Sequence, residues 1–112
     1  MDIVNFSVSN RATFLESFQW LDEDGVAVTL TGATIVYEAR DPTTKETVLS
    51  ASTSDGDITI VTTTMTVRFE ESTMDDLEAK DYEHGCTIML DGETEVEQAF
   101  IGKLTVIDGI VS

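Results

Sequence analysis

Apolar and polar residues alternate with a period of two along nearly the whole of this 112-residue chain. That is the pattern of strands with one buried face. In "ATIVYEAR" (33–40), Ala33, Ile35, Tyr37 and Ala39 point one way, and Thr34, Val36, Glu38 and Arg40 the other. "TMTVRFE" (64–70) alternates without error, with Met65, Val67 and Phe69 inward. In "DYEHGCTIML" (81–90), Tyr82, His84, Cys86, Ile88 and Leu90 share a face. "TFLESFQWL" (13–21) aligns Phe14, Phe18 and Trp20 but puts Glu16 among them, a conflict that predicts a strand end or a sheet edge. In the last segment, from "VEQAF" onward, Phe100, Leu104 and Val106 line one face while Ala99, Ile101 and Ile107 line the other. Such a strand is central in a sheet or covered by a neighbour.

Between these runs lie turn sequences: Asp22-Glu23-Asp24-Gly25, Asp41-Pro42-Thr43-Thr44, Ser54-Asp55-Gly56-Asp57 and the hairpin signal Asp91-Gly92. One stretch breaks the alternation. In "ESTMDDLEAK" (71–80), Ser72 with Asp75 resembles a helix start, and Met74 and Leu77 are one helical turn apart, so a single helical turn is expected. About eight short strands with turns every 8 to 12 residues predict an all-β fold. The expected form is one antiparallel β-sandwich domain over 1–112, of immunoglobulin-like type. Gly85 and Gly102 fall inside strands, where bulges or close backbone approach are the usual reasons.

Charge narrows the functional classes. Twenty-two Asp and Glu face six Lys and Arg, for a net charge of −16. Phosphate backbones are held by clustered cations, and Arg11, Arg40, Lys45, Arg68, Lys80 and Lys103 are scattered along the sequence, so no nucleic-acid binding is expected. An anionic membrane surface is disfavoured for the same reason. No run of 18 apolar residues occurs, and the N-terminal stretch lacks a basic region followed by an apolar one, so neither a membrane span nor a signal peptide is expected. Scarce Lys, abundant Thr and this acidity resemble proteins of salt-loving archaea and their viruses. Molar salt shrinks the Debye length to about 3 Å and screens carboxylate repulsion.

Candidate chemistry is thin. The one histidine, His84, and the one cysteine, Cys86, lie two apart on a strand, about 7 Å from each other and too far for direct proton transfer. A core role is expected for both. With 22 acids, paired carboxylates arise by chance. Asp22-Glu23-Asp24-Gly25 lacks the ligand spacing of a calcium loop and reads as a tight acidic turn. No phosphate-cradling glycine loop is present. No catalytic residue, cofactor, metal or small-molecule substrate is expected.

"ATFLESFQWLDEDGVAVTLTGATIVYEARD" resembles the first half of small β-sandwich structural proteins of tailed viruses: an aromatic strand, an acidic glycine turn, then Leu-Thr-Gly opening a strand that ends on a basic residue. "VRFE" followed by "STMDDLEAKDYEHGCTIML", and the closing "DGETEVEQAFIGKLTVIDGIVS", are similar to the second half. The likeness extends from about residue 11 to 108. It implies a non-enzymatic assembly module in the virion, at the tail, neck, baseplate or capsid surface, whose partners are copies of itself and other virion proteins. With the acidity, it suggests a tailed virus of a haloarchaeon. Leu30, Thr31, Gly32, Tyr37 and Arg40 are then expected to form a structural corner. Val36, Met89 and Ile101, apolar on nominally outer faces, are candidates for a protomer interface. The alternative is an immunoglobulin-like module that recognises a host glycan or surface protein through its loops.

Overall fold

A computed structural model describes residues 2–108, with Asp2 described by its backbone alone. The expected run of the last strand toward Ser112 lies outside the described residues. Nine strands and one helical turn follow in the order β1 (Asp2–Ile3), β2 (Phe6–Ser9), β3 (Phe14–Gln19), β4 (Thr34–Arg40), β5 (Thr47–Ser52), β6 (Ile58–Val61), β7 (Thr64–Phe69), α1 (Glu71–Met74), β8 (Asp81–Met89) and β9 (Glu97–Ile107). They form two sheets. Sheet A runs β1-β9-β8-β4-β5, with β2 beside β9 as well, and sheet B runs β3-β7-β6.

The period-two pattern decides which residues lie between the sheets. Ile35, Tyr37 and Ala39 of β4, Tyr82, Cys86 and Ile88 of β8, and Leu104 and Val106 of β9 are buried from sheet A. Phe14, Met65, Val67 and Phe69 meet them from sheet B, and all belong to one hydrophobic cluster. Phe14 is the hinge of this core, with ring centres 5.4 Å from Phe69 in its own sheet and 5.9 Å from Tyr37 in the other. Glu16, opposite Val67, is tolerated half-buried because β3 is an edge of sheet B. That is the edge its sequence conflict predicts.

β9 lies inside sheet A, between β8 and the N-terminal strands. A bulge explains Ala99 on its second apolar face, while Ile101 and Ile107 there stay exposed: Cys86 pairs with Phe100 and Thr87 with Gln98, so Ala99 is an extra residue. Ala99 and Phe100 are consequently both buried. The Gln98 amide Nε2 donates to the Cys86 and Phe100 carbonyls at 3.0 and 2.9 Å, bridging the site of the irregularity. Bulges leave ladder groups unpaired, and here a side chain meets them.

Two features depart from expectation. The N-terminal residues, to which the turn-and-strand pattern assigns no element, form β1 and β2, parallel to β9. The helical turn starts earlier than the Ser72–Asp75 signal: its N-cap is Glu70, in extended conformation and without a side-chain cap bond. Its position follows from packing, since Phe69 ends β7 in the core and Met74 and Leu77 are buried behind it. A tertiary anchor outweighs a weak capping preference.

Candidate functional site

The stretch from Leu30 to Arg40 makes the corner that leads into β4. Leu30 is fully buried and its backbone N–H donates to the Thr62 carbonyl at the β6–β7 turn, 2.8 Å away. Gly32 has φ +80, and a Cβ there would come within 2.8 Å of the Asp91 side chain. Only glycine combines that backbone with that proximity. Thr31 is exposed, Tyr37 is completely buried, and Arg40 ends the strand in solvent with its Nε 2.9 Å from Glu83 Oε2.

On the outer face of sheet A, Gly85 leaves a gap in the row of side chains. A groove of about 490 Å³ opens there, with Val36, Ile3 and Ile101 as its apolar lining and Glu38, Arg40 and Gln98 among its polar residues. Ile3 is 73% exposed and Ile101 40%, an apolar pair on the side where β1 lies against β9. Val36 and Ile101 thus meet in one depression. Met89 lies on the same face, half-buried and opposite Thr34, outside the groove lining.

One end of this face gathers the cations that the sequence scatters. Glu83 takes Arg40 on one oxygen and Lys45 on the other, each at 2.9 Å. These bonds, Lys45 first, hold the Glu83 carboxyl below its usual range. Lys103 stands 3.8 Å from Asp81. Lys80 bonds Asp41, whose carboxyl is lowered to about 2 by that bond, helped by the Thr43 and Thr44 amides. Lys80 also stands 4.0 Å from Glu78, so four cations here face Glu38, Asp41, Glu78, Asp81 and Glu83. The rest of the chain has two cations against seventeen of the twenty-two acids. The groove therefore lies beside a nearly charge-balanced region of a molecule that is otherwise strongly negative.

Behind the groove, on the inner side of β8, His84 is 5% exposed and joins three elements. Its Nε2 lies 2.6 Å from the Val4 carbonyl, which can only accept, so Nε2 carries the proton. The neutral ring then accepts at Nδ1 from the Tyr37 hydroxyl, 2.8 Å away. Burial lowers the His84 pKa and raises those of Tyr37 and Cys86, the latter to about 12. A thiol held protonated is a poor nucleophile, and both imidazole nitrogens are occupied in holding the fold. The Asp22 carboxylate likewise serves its own turn, accepting from the Asp24 and Val26 amides at 2.9 and 3.0 Å. Among the described residues, no group of three His, Cys, Asp or Glu is placed to hold a metal ion.

No protein-family profile matches the chain, and a search of curated proteins returned no match.

Proposed function

We propose that this protein is a non-enzymatic assembly module of a tailed virus particle, built on an immunoglobulin-like sandwich and docking through the outer face of sheet A. The observation that carries the reading is the groove around Gly85, walled by Val36, Ile3 and Ile101 and flanked by the ion pairs of Glu83 with Arg40 and Lys45. Like-charged copies and acidic neighbours repel across most of this surface. At the groove they meet apolar side chains and paired ions instead.

The immunoglobulin-like assignment is supported by the order of strands and by one local device. β3-β7-β6 faces β9-β8-β4-β5, and the first strands run parallel to the last. Tyr82, at the start of β8 after the helical turn, donates its hydroxyl to the Glu78 carbonyl four residues upstream at 2.9 Å. That matches the tyrosine corner of such sandwiches. A halophilic virus as the source is favoured by the net charge of −16 and by the pairing of all six cations with carboxylates. The glycan-binding alternative gains less. The exposed large apolar side chains among the described residues, Ile3, Leu15, Leu21, Val26, Val61, Val96, Ile101 and Ile107, are all aliphatic, whereas sugar recognition favours exposed aromatic rings.

Electron microscopy of purified particles labelled with gold-conjugated antibody tests the proposal. Gold at one locus of the particle, whether tail, neck, baseplate or capsid, is the expected result. Gold on host envelopes with bare particles would overturn it in favour of a surface-binding module.

A further inference from the structure

The flank of the sandwich formed by β5 and β6 is poor in charge. At the opposite flank, Phe6 of β2 meets Phe14 and Phe18 of β3, with ring centres 6.1 and 5.6 Å apart, so β2 and β3 lie together. It follows from the strand orders that β5 and β6 share the other flank. Residues 47–67 contain two charged groups, Asp55 and Asp57, and both lie in the turn between these strands. β5 itself, Thr47–Ser52, has no charge and no proline. Charge and proline are two of the means by which a sheet edge is kept from pairing with another chain, and a third, a bulge, is confined in β5 to Val48.

The ladder parity shows what β5 offers. The Thr53 N–H donates to the Ile35 carbonyl, so Ile35, Tyr37 and Ala39 direct their backbone groups toward β5, and their partners Ala51 and Leu49 direct theirs back. Ser50 and Ser52 therefore present N–H and C=O outward, away from β4. A bulge at Val48, between the pairs Ala39–Leu49 and Arg40–Thr47, confines the irregularity to the start of the strand.

We propose that two copies of this chain pair antiparallel along β5 about a two-fold axis, joining their A sheets into one. The occupant is a second copy because a like-charged chain can approach closely only where carboxylates are absent, and the two-fold presents the same charge-free edge from both sides. In the register that places Ser50 opposite its own copy, the two residues exchange both N–H···O bonds, and Ser52 faces Val48 of the second copy. This pairing uses a different surface from the groove and is independent of the virion reading.

Sedimentation equilibrium in molar KCl, with three variants, tests it. The wild type is expected to be a dimer at micromolar concentration. Ser50→Pro removes an outward N–H that β4 does not use, as edge strands tolerate. It should weaken dimerisation by about a hundredfold, through two lost hydrogen bonds, while circular dichroism stays unchanged. Ser50→Asp, an exposed position, should do the same by setting two like charges opposite one another. Ser50→Cys should crosslink to itself with a short bismaleimide, since the native Cys86 is buried. A monomeric wild type, or a dimer indifferent to both Ser50→Pro and Ser50→Asp, would overturn the proposal.

Discussion

The backbone carbonyl of Val4 lies over Gly102, at 1.8 Å from where a Cβ on that residue would stand. Val4 N–H bonds the Ile101 carbonyl, Asn5 Oδ1 accepts from the Lys103 amide, and His84 Nε2 donates to the Val4 carbonyl. The N-terminal strand keeps one register with β9 on either side of this point, Ile3 opposite Ile101 and Phe6 opposite Leu104. Its two segments are interrupted at Val4 and Asn5, and Gly102 makes room for the crossing.

Gly102→Ala should therefore destabilise the fold by about 2–3 kcal/mol, because the obstructing atom is backbone and cannot rotate away. Denaturant unfolding measures the loss. Hydrogen exchange should localise it, with the amides from Val4 to Ser9 losing protection first. A change within about 0.5 kcal/mol, the range of neutral surface substitutions, would show that the strand shifts freely.

The same junction makes stability depend on pH. Burial holds the His84 pKa below its ordinary 6.5, so the unfolded chain binds the proton more readily than the folded one. Stability is then fully present above about pH 6.5 and falls as the pH drops through that value toward the folded pKa. In molar KCl, unfolding free energy should decline from about pH 7.5 to about pH 5.5, a window above the usual range of carboxylate titration. His84→Gln should flatten that decline. An equal slope in the variant would assign it to other groups.

Much of the architecture can be read from alternation alone. Inward residues of β4, β7 and β8 follow from period two, and the in-strand glycine at 102 signals close backbone approach. What escapes is non-local. The parallel pairing of β1 and β2 with β9 links residues about a hundred positions apart and has no turn between them to announce it. Thr62, at φ +53 in the β6–β7 turn, carries a β-branched side chain where glycine or asparagine would have marked the turn. The bulge at Ala99 has no signature except its consequence, an apolar residue on each face. The groove depends on four strands in register, β1, β4, β8 and β9, so Val36 and Ile101 can be nominated from sequence, while Gly85 as its floor and Gln98 beside it cannot.

Tyr82→Phe removes the hydroxyl that bonds the Glu78 carbonyl. The ring remains buried, so the expected cost is about 1 kcal/mol, the net worth of one hydrogen bond. Thermal unfolding checks this. A loss below about 0.3 kcal/mol would mean that water replaces the bond without penalty.

Salt should raise stability. Most of the acids among the described residues have no cation within ion-pair distance, and their mutual repulsion weakens as the Debye length falls. The melting midpoint followed by circular dichroism should climb from dilute buffer to molar KCl. A sharp cooperative melt in dilute buffer, unaltered by molar salt, would remove the case for a high-salt origin.

The central claim, that the outer face of sheet A is the docking face within a particle, is tested most directly by hydroxyl-radical footprinting of purified particles against the isolated protein. Val36, Ile101 and Ile3 should lose reactivity in particles, while Leu15, exposed on sheet B, keeps its reactivity. Protection of Leu15 with Val36 and Ile101 still fully reactive would contradict the account.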